Sequence, residues 1–283
     1  MMDMEKSQII RILIYNAIFA GAGSFFISNY FHTQYNSVAL LIILSALVVV
    51  DSFIDRKKLS AYGFKRPKLS DFKFAVFIFA IFFPIAIATR ILFPSFDFIY
   101  NNALGLSYAN IVRFLFYLLP VSILIEEIGT RALFQSKVTS IFGSKFAIYA
   151  TLLNFTLLHF TWMFSADLAN FAIIIVTVFI YAAFLVLLFD FTKNIFSTIA
   201  VHLMIDIVSA VQILFHIYSQ FNYEMILWVA WGILFIVFFP SAVALFKKSV
   251  ASMKGKLKDV YIKILLIIFS LFSLATVMFT RGL

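Results

Sequence analysis

Cysteine is absent from the 283 residues, charged residues make up only 12%, and proline and glycine number 5 and 9. Without cysteine there is no disulfide framework, no thiolate metal site and no cysteine nucleophile. A soluble domain carries about 25% charged and about 45–50% apolar residues; here 64% are hydrophobic and the mean hydropathy is +1.05. The 38 phenylalanines and 12 tyrosines exceed what one water-soluble core hides. Soluble enzymes and disordered scaffolds are therefore excluded, and an all-α, polytopic transmembrane bundle fits the composition.

Apolar stretches of spanning length run from near Gln8 to near Ser28 and recur at about 38–54, 74–94, 111–135, 146–164, 169–189, 195–217, 224–246 and 259–280, giving eight or nine helices. The first reads as a retained span, because Asn16 and Gly21-Ala22-Gly23 interrupt it and no small-residue cleavage site precedes a soluble domain. Residues 1–283 then form one integral membrane domain, with a motif-bearing core at about 110–215. Basic residues fall between alternate spans: Lys6 and Arg11, Arg56 to Lys73, Lys137 and Lys145, Lys193, and Lys247 to Lys258. The positive-inside rule places these in the cytoplasm together with the N-terminus. Trp162, Trp228, Trp231, Tyr218 and Tyr223 gather near the opposite interface, where amphipathic rings settle. Topology and attraction to anionic lipid account for the net charge of +9, so nucleic acid is not an expected partner. The segment from Asp55 to Lys73, with Gly63 and Pro67, reads as a cytoplasmic loop bearing a membrane-surface patch.

Ionisable groups deep in spans are the first place to look for function, since each costs about 2.5 to 3.5 kcal/mol on insertion scales. Three spans carry one cluster each: Glu126-Glu127-Ile128-Gly129-Thr130-Arg131, then Phe155-Thr156-Leu157-Leu158-His159, then His202-Leu203-Met204-Ile205-Asp206. Glu127 and Arg131 stand at i and i+4 and can pair, whereas Glu126 points about 100° around the helix, free to face a cavity. His202 and Asp206 share the i, i+4 spacing, so the carboxyl group can fix the imidazole tautomer or hold its proton. Counted at about 1.5 Å per residue from the cytoplasmic ends, Glu126, His202, Asp206 and His159 lie roughly 14, 12, 18 and 20 Å deep and can converge.

Taken singly, each cluster has a bland reading. A Glu–Arg pair is often a helix brace, a lone membrane histidine is mostly a packing element, and His216 is interfacial while His32 lies in a loop. Phe155 reads as helix packing, since so many phenylalanines make an apolar neighbour at i−4 common. The conjunction on three helices carries the weight.

Glu-Glu-x-x-x-Arg, Phe-x-x-x-His and His-x-x-x-Asp, in that order on separate helices, resemble the CAAX protease and bacteriocin-processing (CPBP, or Abi) family of intramembrane endopeptidases. The resemblance covers roughly residues 110 to 215. It implies that Glu126 activates the attacking water, that His159 helps to hold it, that Glu127 and Arg131 brace the site, and that His202 and Asp206 stabilise the oxyanion. The sequence departs from the commonest pattern at Thr130, Ala132 and Asp206, the last standing where asparagine is usual. An ionised aspartate cannot donate to an oxyanion, so Asp206 is either protonated or acts by keeping His202 as an imidazolium donor. There is no His-Glu-x-x-His zinc helix, Gly-x-Ser-Gly serine loop or Gly-x-Gly-Asp aspartyl pair. Water activated by Glu126 without an obligatory metal is the expectation; were zinc bound, Glu126, His159 and His202 would supply its ligands. The expected partners are a peptide or protein substrate and the lipid bilayer of a bacterial cell. A non-proteolytic scaffold or immunity-type partner is the alternative, and a proton relay in a transporter is weaker, since Pro84, Pro120 and Pro240 do not pair as in inverted repeats.

Overall fold

The computed structural model describes residues 2–28, 34–71, 119–159 and 168–218, together with positions 113, 116 and 117. Its elements are helical: α1 (Met2–Ser28), α2 (Gln34–Ile54), a 3-10 turn (Leu59–Tyr62), α3 (Leu119–Glu127), a π-helical segment (Ile128–Gln135), α4 (Ser136–Phe142), α5 (Ser144–Leu158), α6 (Leu168–Thr192) and α7 (Ile195–Tyr218). No strand occurs among the described residues. The expected spans at 74–94, 224–246 and 259–280, the loop at 247–258, and His32, Trp162, Tyr223, Trp228 and Trp231 lie outside them. Among the described residues, Ser37–Ile54 is long and apolar enough by itself to cross a bilayer, with a mean hydropathy of 2.6. Ser7–Gly21, Ser144–Leu158, Val178–Thr192 and Ile195–Ile207 are shorter apolar stretches.

The fourth expected span corrects the sequence reading. Instead of ending near residue 135, the helix continues through the π-helical segment into α4 and stops at Gly143, whose N–H still bonds Thr139 O at 3.0 Å and whose positive φ of 83° turns the chain out of the helix. Lys137, expected at the cytoplasmic side or its interface, is therefore inside the protein, 1% exposed. It stays there because its charge is met by Asp51 at 2.7 Å and by Asp55, while Val138 next to it packs with Ile12, Phe134, Phe146 and Ala147. The π-helical turn has local causes. Thr130 Oγ1 donates to Glu126 O at 2.5 Å and Ser136 Oγ to Arg131 O at 3.0 Å, so hydroxyls take up carbonyls at both ends of the widened turns.

Lipid offers no hydrophobic drive between helices, so close packing and polar contacts hold such a bundle together. The π-helical segment lies at the centre: Ile128, Ala132 and Leu133 pack with Tyr15 and Phe19 of α1, Leu40, Leu44 and Val48 of α2, and Phe189 of α6. Gly129 is required by this approach, because a Cβ there would run into the ring of Phe19. Asn154 Nδ2 donates to Asn16 Oδ1 at 2.8 Å, and Gln135 Nε2 to Val186 O at 3.0 Å, each bond joining two helices in the interior. Asn16, read from sequence as an interruption, is thus a joint between α1 and α5.

The helix ends that carry the basic residues collect at one end of the bundle. There Arg11 of α1 meets Asp51 and Asp55 at the end of α2, Ser144 of α5 donates to Asp190 of α6, and Gly63 O accepts from Ile195 N at the start of α7 at 3.0 Å. The alternation read from the sequence is reproduced by these contacts. Of the segment from Asp55 to Lys73, expected as a loop with a surface patch, the described part to Asp71 keeps Arg56, Lys58, Arg66 and Lys68 exposed and docks through its centre: Tyr62 is buried, Phe64 meets Phe196 edge-on at 6.3 Å, and Asn194 Nδ2 reaches Asp71 at 3.3 Å. Gly63, at φ 88°, would with any Cβ come within 2.6 Å of the Phe189 ring.

Candidate active site

Glu126 and Glu127 close α3 side by side, and the 100° between neighbouring helical positions separates their surroundings. Glu127 is sealed at 0% side-chain exposure, whereas Glu126 opens to 29%. The expected Glu127–Arg131 pair is present at 3.5 Å between Oε2 and Nε, but the nearer partner of Glu127 lies on α7: His202 Nδ1 donates to Glu127 Oε1 at 2.8 Å. The opposite ring nitrogen, His202 Nε2, faces Glu126 Oε2 at 3.7 Å and Asp206 Oδ2 at 3.5 Å. The i, i+4 contact between His202 and Asp206 expected from spacing is therefore formed. Asp206, like Glu126, is 29% exposed at its side chain, so these two carboxyl groups flank the open side of a ring whose own exposure is 4%.

Three aromatic contacts organise the rest. The Arg131 guanidinium lies over the Phe155 ring at 4.5 Å, the His159 ring is tilted against the same ring at 4.5 Å, and His202 meets it edge-on at 6.4 Å. Phe155 is thus the shared wall of the site, a role its sequence signal did not distinguish from ordinary packing. His159 ends α5 and donates from Nδ1 to Phe155 O at 2.8 Å, which leaves Nε2 as the nitrogen with a free lone pair. The structure gathers Glu126, Glu127 and Asp206 around His202, with Arg131 joined through Glu127 and His159 through Phe155.

Two further residues were not singled out by sequence. Tyr181 of α6 meets the His202 ring edge-on at 5.1 Å, and Thr198, one helical turn before His202, lies against the Glu127 carboxylate. Neither belongs to a motif with spacing of its own, and a Tyr in a Phe-rich span or a Thr near a helix start gives no signal until the helices are assembled.

The zinc alternative can be tested on donor chemistry. A metal takes an imidazole by a lone pair; His202 Nδ1 is bonded to Glu127 Oε1 at 2.8 Å, which leaves Nε2, 3.7 Å from Glu126 and 3.5 Å from Asp206, as the nitrogen a metal would take. Among the described residues no three His, Asp or Glu side chains are grouped to hold a metal ion.

No curated protein and no solved structure is matched by the chain. Residues 107–208 match the family model Rce1-like, described as type II CAAX prenyl endopeptidase Rce1-like. Glu126, Glu127, Arg131, His159, His202 and Asp206 all fall within that stretch. The three motifs converge around one imidazole inside the matched residues, and this part of the chain is similar to the type II CAAX prenyl endopeptidases.

Proposed function

We propose that this protein is an intramembrane endopeptidase that hydrolyses a peptide bond of a membrane-delivered substrate with water activated by Glu126. The observation that carries the reading is the division around His202: a sealed carboxylate, Glu127, on Nδ1 and two partly open carboxyl groups, Glu126 and Asp206, beside Nε2. Glu127 and Arg131 balance charge in the closed half, so the Glu126 carboxylate is left for chemistry. It takes a proton from a water held by His159, through the free Nε2. The hydroxide adds to the carbonyl carbon, and the oxyanion so formed accepts from His202 Nε2–H, with Asp206 supporting the charge on the ring. Glu126 returns the proton to the amide nitrogen, the C–N bond breaks, and a carboxylate and an amine leave.

No metal is required in this sequence of steps. The family description supports a lipid-anchored C-terminus as substrate; a precursor peptide of the bacteriocin type is the other candidate, and the proposed approach is from the basic end, taken as cytoplasmic, of a bacterial cell membrane. The test is unbiased peptidomics of membranes holding wild type or Glu126→Gln. Loss of the general base lowers turnover by about 10²- to 10⁴-fold, so cleavage products present with wild type are expected to vanish. Equal product profiles, with Glu126→Gln also complementing a deletion in full, would point to the scaffold alternative.

A further inference from the structure

Asp51 stands outside the site and is tied to both of its halves. Its buried carboxylate accepts from Arg11 Nη1 at 2.5 Å and Tyr15 OH at 2.8 Å on Oδ1, and from Lys137 Nζ at 2.7 Å and Tyr62 OH at 2.6 Å on Oδ2. Asp55 accepts from Arg11 Nη2 at 2.7 Å and from Lys137, so two acids and two bases balance in the interior. Lys137 is the second residue of α4, at the foot of the continuous helix that carries Glu126, Glu127 and Arg131. Tyr62 directly precedes Gly63, whose carbonyl accepts from Ile195 N at the first turn of α7, two turns from His202. One carboxylate thus holds the foot of the glutamate helix and, through the docked loop, the start of the histidine helix.

We infer that Asp51 is a positioning residue: with Lys137 and Tyr62 as its two arms, it sets where the Glu126–Glu127 helix stands relative to His202. The Glu127–His202 bond of 2.8 Å joins elements that the sequence separates by 75 residues, and no covalent or short-loop connection fixes it. The Asp51 contacts supply the fixed geometry at the end of the bundle where both helices are anchored. A bare brace of α1 on α2 would need Arg11 and Tyr15 alone. The contacts to Lys137 and Tyr62 reach the two site-bearing helices and nothing in α1.

The kinetic arm of the test rests on the endopeptidase reading, and the distance arm does not. The full chain is reconstituted as wild type, Asp51→Asn, Tyr62→Phe, Lys137→Met and Lys137→Arg, and kcat and KM are measured separately on an internally quenched farnesylated C-a-a-X peptide. Small displacements far from the chemistry cost up to about 10²-fold, so Asp51→Asn and Lys137→Met are expected to lower kcat about tenfold or more with KM unchanged. Tyr62→Phe, which removes one hydroxyl and leaves the fold its shape, is expected to lower kcat less, and Lys137→Arg to restore it. For the distance arm, Ser140→Cys and Ile207→Cys carry spin labels on α4 and α7, with no native cysteine to interfere. The distribution is expected to shift or broaden in Asp51→Asn and, should that variant fail to fold, in Tyr62→Phe. An unchanged distribution overturns the inference, and so does an unchanged kcat where the wild type cleaves. If the wild type leaves the peptide intact, the endopeptidase reading loses that substrate and the distance measurement alone decides the role of Asp51.

Discussion

Asp206 is the side chain whose protonation separates two versions of the proposed mechanism. Its Oδ2 lies 3.5 Å from His202 Nε2 and on the open side of the ring, next to Glu126. A carboxylate there cannot donate to an oxyanion, but it stabilises the imidazolium that does. Asp206→Asn keeps the shape and removes the charge. Losing one charged contact costs about 1.4 kcal/mol or more when it is a charge-assisted hydrogen bond, so kcat on the quenched peptide is expected to fall about tenfold while membrane abundance is kept. Activity equal to or above wild type would show instead that Asp206 works as a neutral donor. The pairing of His202 with Asp206 is legible from spacing alone, because i, i+4 neighbours on one helix meet whatever the rest of the chain does. It could not give Glu127 as the nearer partner of the same ring, since that bond crosses from α3 to α7.

At the scale of the element, the π-helical segment is the part of the fold most exposed to small changes. Its eight residues are all buried, and Gly129 has no room for a methyl group against Phe19. Overpacking of this kind costs about 1–3 kcal/mol. Gly129→Ala is therefore expected to lower thermal stability in detergent and to reduce activity with it, because the adjoining turn carries Glu126 and Arg131. Shortening the partner in Gly129→Ala/Phe19→Leu should recover stability; a double variant no more stable than the single would show that the strain lies elsewhere. The widened turn itself left no trace in hydropathy, since its apolar pattern passes for an ordinary span.

The basic end of α2 offers a second test at this scale. Burial pushes the Asp55 carboxyl up, but hydrogen bonds from Lys137 and Arg11 outweigh it and hold Asp55 below its ordinary 3.8. A depressed folded value means stability that is fully present above the unfolded value and is lost as pH falls through the folded one. Thermal stability is thus expected to be flat from neutral pH down to about pH 5 and to fall below about pH 4, and Asp55→Asn should be less stable at neutral pH with a shallower acid decline. Equal acid sensitivity of the two chains would remove Asp55 from that account. Tyr62 behaves differently: burial and the Asp51 carboxylate hold its hydroxyl well above the ordinary phenol range, so it remains a donor throughout.

For the whole molecule the testable statement is its orientation. The basic helix ends assemble on one side of the bundle, as the alternation of charge required, and the positive-inside rule assigns that side to the cytoplasm. Single cysteines at Lys57 and Gln220 report on the two sides against a cysteine-free background. Lys57→Cys is expected to react only when the inner face is accessible and Gln220→Cys only from outside. Modification of Gln220→Cys from inside alone would invert the registration and move the substrate approach to the other face.

The sequence alone determined the helical class, the positions of α1, α2, α5, α6 and α7 to within a few residues, and the three clusters that form the site, because hydropathy and helical spacing are local properties of the chain. It did not show that Lys137 is buried and passed over Asp51, since a charge in a row of residues looks the same whether water or another side chain meets it. Only the packed bundle decides which occurs: the desolvation of Lys137 is offset by Asp51 and Asp55, which come from 86 and 82 residues away. The same holds for Phe155, Tyr181 and Gly129, whose roles come from rings and backbones that neighbouring helices press against them.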